Sequence, residues 1–495
     1  MSSCIIDPNT GMPYQGGWRQ KRPAHSANLG GGDRPSESRN LRDLHKIVTK
    51  YDRQTLVSAS KTLYLNSQIL IGAIDQKAMY SVGNAWLPVY KGEDEAFGKA
   101  ARNWLANEWY EISNLAGTSD FVEDLYIDSV AIDRDGEVFE YFTGTPNGYP
   151  QIQIIPSHRI DSCGMPDGEI KEGKFKGKLY FLEDGIVYSK DNQRPVAYVF
   201  ADEDGKFSKY LDAAYVKHEF EKLWPEQKRG LPCFYASLNG LRDILQSEEW
   251  ERMNLLSMSS LNYTVENESG GPDIDEPDYV PAENCGELAV QYLQGGRIMY
   301  AKAGSGEKIT QHQNFRPGNP WHEFFDMQTR LALGQINWPY SLWKPSGQGT
   351  AERSQIGLAC RSVDDRQTKL KKIAKWRITK ALAWGMAEGR IPKSSDWYSW
   401  DFTKPAKLTI DDGRTSKERL EKFKAGIINA TDMIGEEGKS FDENLIERGE
   451  EIAKRELNRK AMEDKYGIEI DPRYYLMLTP NEMAPADPVE PKSEP

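Results

Sequence analysis

Few places in the sequence combine residue types and spacing in a way that could perform chemistry. Gly304-Ser305-Gly306-Glu307-Lys308-Ile309-Thr310 is the nearest approach to a phosphate-cradling loop, in which glycine amides and a following lysine would hold a nucleotide. Glu307 breaks the pattern, because a carboxylate at that point repels phosphate, and the stretch reads as a hairpin turn. His25, His45, His158, His218, His312 and His322 show no metal-ligand spacing and read as ordinary surface or core residues. There is no G-x-S-x-G, and nothing joins Cys163 to a base. Asp133, Asp135 and Gly136 match part of a calcium loop, but the remaining ligands and the closing Glu are missing, which leaves a turn. Asp364 and Asp365 could hold Mg²⁺ for nuclease or polymerase work. On a helix, however, neighbours point about 100° apart, and a solvated face is the simpler reading. No catalytic, metal-binding or cofactor-binding residue is therefore assigned.

Composition points the same way. A chain of 495 residues with 38% hydrophobic and 11% aromatic residues can fold into several cored domains. The most apolar stretch, Leu63 to Ile74, is short and carries Asn66, Ser67 and Gln68, so no membrane-spanning helix is expected. The N-terminus lacks the basic-then-apolar order of a signal peptide. Cys4, Cys163, Cys233, Cys285 and Cys360 are odd in number and far apart, which predicts reduced thiols. A net charge of -12 argues against a tight grip on nucleic acid. That average hides an acidic block from Thr264 to Val290 without one Lys or Arg, and a basic excess from Ser341 to Lys393 led by Arg361, Arg366, Lys369 and Arg377.

The elements that would position these groups can be read from periodicity. Residues 1–39 read as a flexible arm. Leu41 to Tyr80 and Phe97 to Leu115 have helical apolar spacing. Glu137–Phe142, Gln151–Ile155, Leu179–Leu182, Ile186–Tyr188 and Val196–Phe200 read as antiparallel strands. A helix is expected over residues 236–263, then a small inserted module across the acidic block, then a second helix over 319–335 with Asn319 as its cap. Trp343 to Gly349 has the composition of a mobile loop. A proline-free run from Ala351 to Glu388 predicts a helix about 57 Å long. Capping boxes at Thr415 and Ser440 announce a helical C-terminal region, and prolines beyond Pro472 a disordered tail. The fold class expected is α+β, mainly α.

This order of elements resembles the portal proteins of bacteriophages, and specific phrases resemble the lambda-type portal family. They are Lys228-Arg229-Gly230-Leu231-Pro232, Phe315-Arg316-Pro317, Trp338-Pro339-Tyr340, Asp411-Asp412-Gly413 and Glu447-Arg448-Gly449-Glu450. The resemblance covers about residues 40 to 468 and implies the portal fold. In that fold residues 40–235 and 351–410 form a wing, 236–263 and 319–335 a two-helix stem, 264–318 a small α/β clip, 336–350 a tunnel-loop region, 411–468 a crown and 469–495 a tail. It further implies a dodecameric ring at one capsid vertex in the virion, assembled in the host cytoplasm, which passes double-stranded DNA without reading its sequence. Implied partners are the terminase large subunit, the major capsid protein and head-completion neck proteins, with no membrane. Lys344, Ser346, Gly347 and Gln348 would face the channel, and Asp273, Asp275, Glu276, Asp278 and Tyr279 would meet the terminase. Acidic walls suit such a role, since a channel dense in Lys and Arg would hold phosphates and stall the duplex. The competing readings are another virion or baseplate scaffold, and a Mg²⁺-dependent nucleic-acid enzyme.

Overall fold

The computed structural model describes residues 47–470 except 84–85, 145–147, 268–278, 282–287, 294–295, 303–307, 312–317, 345–349, 406–407, 409–411, 437–438 and 440. Over these residues the chain is α+β with helix predominating. It divides into two compact units, one holding residues up to 77 with 127–141 and 154–362, the other 78–126, 142–153 and the chain from 363 onward.

The helical run expected over Leu41 to Tyr80 is two helices, α1 (Lys50–Asn66) and α2 (Gln68–Val82), parted at Ser67. Thr49 opens α1 with a reciprocal cap: its hydroxyl accepts from the Asp52 N–H while the Asp52 carboxylate accepts from the Thr49 N–H. Strand β1 (Pro88–Tyr90) and helix α3 (Glu95–Trp104) come next. The chain then takes a π-helical turn, Leu105–Trp109, and a short 3₁₀ turn, Tyr110–Ile112, where one continuous helix was expected. The reason is burial. Trp104, Leu105, Trp109 and Tyr110 all face inward, and at 100° per residue an α-helix would spread them over more than half its circumference, whereas a wider turn brings each pair five apart into line.

Helix α4 (Phe121–Arg134) leads through Gly136 into β2 (Glu137–Gly144), and β3 (Pro150–Ile155) comes after it. Strands β4 (Gly168–Ile170), β5 (Gly177–Glu183), β6 (Ile186–Ser189), β7 (Pro195–Ala201) and β8 (Phe207–Asp212) form one antiparallel sheet in sequence order. β9 (Val216–Phe220) returns to pair with β2, Glu137 opposite Phe220 and Tyr141 opposite Val216. Alternation along the strands sends Ile186, Tyr188 and Tyr198 to a cluster with Phe139, Ile160, Leu211 and Val216, and sends Val187, Ala197 and Val199 to a second cluster with Ile170, Phe175 and Leu182. The sheet is therefore covered on both faces, which explains its nearly continuous apolar runs.

Helix α5 (Leu238–Ser260) stops short of the expected residue 263, because Leu261-Asn262-Tyr263-Thr264-Val265 favours extended backbone. The module after it holds β10 (Leu261–Asn267), β11 (Tyr279–Pro281), β12 (Leu288–Leu293), β13 (Gly296–Lys302) and β14 (Lys308–Gln311) in the order β11-β12-β13-β10-β14, with β10 and β13 parallel and the other pairs antiparallel. Among the described residues this module is made of strands, not the α/β mixture expected. Helix α6 (Asn319–Gln335) has the expected bounds, with Gly318 rather than Asn319 at the cap. A short helix, α7 (Tyr340–Trp343), overlaps the stretch read as loop only at Trp343, and the long helix α8 (Thr350–Ala387) has 38 residues.

In the second unit β1 pairs with β15 (Trp400–Phe402), and the inward face of α8 carries Leu370, Ile373, Ala374, Ile378, Ala381 and Leu382, all fully buried. Trp104 stacks on Trp384, and Tyr110 stacks on Phe121 at 4.1 Å. The chain ends in α9 (Asp412–Lys424), α10 (Ala430–Glu436) and α11 (Phe441–Tyr466). Thr415, expected as a cap, lies inside α9.

Candidate functional site

Apolar spacing makes α5 and α6 helices, and each uses only part of that spacing for its own core. Leu238, Leu241 and Ile244 bury one side of α5, and Thr329, Ala332 and Leu333 one side of α6. The two pack closely enough that a Cβ at Gly240 would lie 2.8 Å from the Gln328 amide oxygen, and the Ser237 N–H donates to Gln335 Oε1 at 3.1 Å. Further along α5, Trp250 and Met253 are 63% and 59% exposed; on α6, Phe324, Met327 and Leu331 are also exposed. Counted at 100° per residue, each exposed stripe lies roughly 150° round its helix from the buried side. Both helices are thus apolar on two opposite sides.

The segment after α6 is tied down. Asn337 adopts a left-handed conformation (φ 56°), which turns Trp338 into the core, where its Nε1 donates to Gln76 Oε1 at 3.2 Å. Lys77, itself buried, donates to the Ile336 carbonyl at 2.9 Å, and the Trp343 ring lies against Gly72 of α2. Asp326, on α6, accepts from Tyr340 Oη at 2.6 Å and from Lys344 Nζ at 3.3 and 3.5 Å. These bonds, Tyr340 first and then Lys344, hold the Asp326 carboxyl below the usual carboxylate range; burial and the facing carboxylate push the Tyr340 phenol up to about 12. Lys344 is therefore present, exposed, and already partnered. Ser346, Gly347 and Gln348 lie outside the described residues, as do Asp273, Asp275, Glu276 and Asp278. Tyr279 opens the edge strand β11.

The approach to α5 is fixed by a buried ionic network that sequence reasoning missed. Arg229 donates through Nε and Nη2 to the Glu137 carboxylate at 3.0 and 2.6 Å, and its Nη1 and Nη2 also donate to the carbonyls of Ser157, Ile160 and Asp184. Arg53 from α1 donates to Asp184 at 2.5 and 2.9 Å and reaches Glu137 at 3.5 Å. His218, stacked on Phe139 at 4.1 Å, shares a hydrogen bond of 3.1 Å with Glu137, and the Gly230 N–H donates to the same carboxylate at 2.9 Å. Burial by itself would raise the Glu137 carboxyl, but Arg229, the bond with His218 and Arg53 hold it far below the ordinary carboxylate range. Burial likewise depresses the His218 imidazole, against the opposing pull of Glu137. Backbone meets backbone here too: a Cβ on Gly136 (φ 88°) would lie 2.3 Å from the Leu231 carbonyl carbon, and one on Gly230 would lie 2.1 Å from the Gly136 oxygen. The glycine and the arginine of Lys228-Arg229-Gly230-Leu231-Pro232 thus have a structural cause. Asp133 and Asp135, considered above as part of a calcium loop, are buried beside cations, Asp133 with Lys77 and Asp135 with Arg134.

The basic excess of α8 is a solvated face only in part, with Arg361, Lys372 and Lys375 exposed. Arg366 and Arg377 are 1% and 0% exposed. Arg377 donates to the Phe121 carbonyl and lies 5.4 Å from that ring's centroid. Lys369 pairs with Asp365, one of the two carboxylates weighed above for Mg²⁺, and Lys371 pairs with Asp401. Among the described residues no group of three or more His, Cys, Asp or Glu could hold a metal ion.

The family model for phage portal proteins of the lambda family matches residues 38–344, which takes in the ionic network, both helices of the pair, the strand module and Lys344. The chain belongs to that family. A portal protein is a structural constituent of the phage particle, not an enzyme. This portal protein is similar in fold to the solved neck of a native gene transfer agent particle computed with C12 symmetry, at 12% identity over 77% of this chain and 91% of that one, TM-score 0.43. It is similar to the neck of the empty particle at 13% identity over 77% and 92%, TM-score 0.44. The portal protein of the HK97 family from Corynebacterium diphtheriae matches at 11% identity over 62% of this chain and 82% of that one, TM-score 0.25. No curated protein matches the chain. The assignment of this portal protein rests on the family match.

Proposed function

We propose that this portal protein closes into a dodecameric ring at one capsid vertex, through which double-stranded DNA is packaged and later ejected. In this reading α5 and α6 are the stem and the strand module between them is the clip that receives the terminase large subunit and later the neck proteins. Residues 40–235 with 351–410 are the wing against the major capsid protein, 411–468 the crown, and Lys344 with Ser346, Gly347 and Gln348 the tunnel loop. The observation that carries the reading is the double-sided character of α5 and α6. A helix apolar on opposite sides needs two neighbours, and rotationally repeated heterologous contacts supply each copy with one on either side. The acidic chain suits a conduit, since single salt-screened contacts leave a duplex free to slide.

The test is electron microscopy of the purified protein with mass measurement by light scattering. A ring of about twelve copies around a hole wide enough for a duplex about 20 Å across is expected; a closed oligomer without an axial channel would overturn the conduit. For the clip, reversing Asp273, Asp275 and Glu276 to Lys is expected to weaken terminase binding about tenfold or more at low salt, with the ring intact. Unchanged binding would remove the acidic block from the docking surface.

A further inference from the structure

We propose that Asp326 is the resident partner that Lys344 exchanges for the phosphates of passing DNA, so that the lysine touches the duplex without holding it. The inference rests on the tunnel-loop reading of Lys344 and deepens it. One member of the pair is fixed and the other is free to swing. Asp326 sits on α6, its carboxylate held by Tyr340 Oη at 2.6 Å, and the Tyr340 ring is in turn covered by the Arg330 guanidinium at 4.7 Å. The segment between them is pinned by Trp338 and by Lys77. Lys344 closes that segment with its side chain 57% exposed, and its ammonium lies 3.3 Å from Asp326 Oδ1 at the end of a flexible four-carbon stem.

An exposed ion pair of this kind is weak and easily opened. A phosphate that reaches the ammonium must first displace a carboxylate, and a phosphate that leaves is replaced by one. Each encounter therefore trades one anion for another at nearly equal cost. A bare lysine would instead give up only loosely held counterions, and a ring of bare lysines would add a salt-dependent grip for every contact.

The experiment compares particles assembled with Asp326→Asn, with Lys344→Ala and with both, and measures the rate of genome ejection from purified particles as salt is varied. Asparagine keeps an oxygen for Tyr340 and removes only the charge; Asp326→Ser serves the same comparison should asparagine disturb assembly. Asp326→Asn is expected to slow ejection at least about twofold at low salt, with the difference closing as salt screens the contact, and Lys344→Ala in the same chain is expected to abolish the slowing. If Asp326→Asn ejects like the parent while Lys344→Ala alters the rate, the exchange is wrong and the tunnel loop stands. If slowing persists in the double variant, Asp326 acts through the fold and the proposal fails. If neither single variant changes the rate, the tunnel-loop reading of Lys344 falls and the proposal with it.

Discussion

Replacing Arg229 by methionine is expected to destabilise the fold by about 3–5 kcal/mol, the cost of stranding one member of a buried ion pair. Glu137 is fully buried, and Arg229 gives it its closest charge-assisted bonds. Without the guanidinium, burial, already the largest single influence, faces Arg53 and the bond with His218, so the carboxyl is expected to rise. The three carbonyls of Ser157, Ile160 and Asp184 also lose a donor. The pH dependence should change sign at this residue. In the parent the depressed Glu137 carboxyl adds stability at neutral pH, lost only as pH falls through its low folded value. In Arg229→Met the raised carboxyl favours the protonated fold, so the deficit against the parent should shrink as pH drops from about 7.5 toward 5. Adding Glu137→Gln should recover part of the loss, since it removes the stranded charge. Thermal unfolding of the two single variants and the double, at both ends of that range, checks all of this. A deficit independent of pH and of Glu137 would assign Arg229 a packing role instead.

Gly136→Ala is expected to cost at least about 3 kcal/mol, enough to leave little folded protein at physiological temperature. Two causes add. The residue sits at φ 88°, where a side chain is strained, and its Cβ would lie 2.3 Å from the backbone of Leu231, which cannot yield as a flexible side chain could. Gly230→Ala meets the other half of the same contact. Gly334→Ala is the control: it lies in α6, a Cβ there meets nothing within 4 Å, and helix propensity predicts a gain of about 0.5–1 kcal/mol. Limited proteolysis and melting of the three variants give the comparison. A folded Gly136→Ala with unchanged melting would mean that the two strands of chain can move apart without loss.

Much of the fold was legible where pattern alone decides. Asn319–Gln335, the long proline-free helix and the central β strands come from apolar period and turn residues, and the order of phrases gave the family. Most of the failures share a cause: they depend on a partner distant in sequence. Nothing near Glu137 announces Arg229, and nothing near Lys344 announces Asp326, so neither pairing could be read from the sequence. Arg366 and Arg377 read as a basic face because their type says surface, yet both are buried, and for Arg377 the Phe121 carbonyl and ring make a place inside. The π-helical turn at Leu105–Trp109 was hidden for a different reason, since apolar spacing there fits an ordinary helix until four large side chains must all be buried at once.

The chain that departs at Gly136 touches its own point of departure at Gly230, so the residues between them leave and rejoin the molecule at one place. Segments whose two ends meet are the ones that tolerate insertion, deletion and replacement, because whatever happens inside leaves the anchor where it was. Residues 137–229 are nevertheless not exchangeable alone: Arg53 of α1 reaches into them at Asp184 and Glu137, so a replacement segment that kept the anchor would also have to bring both carboxylates.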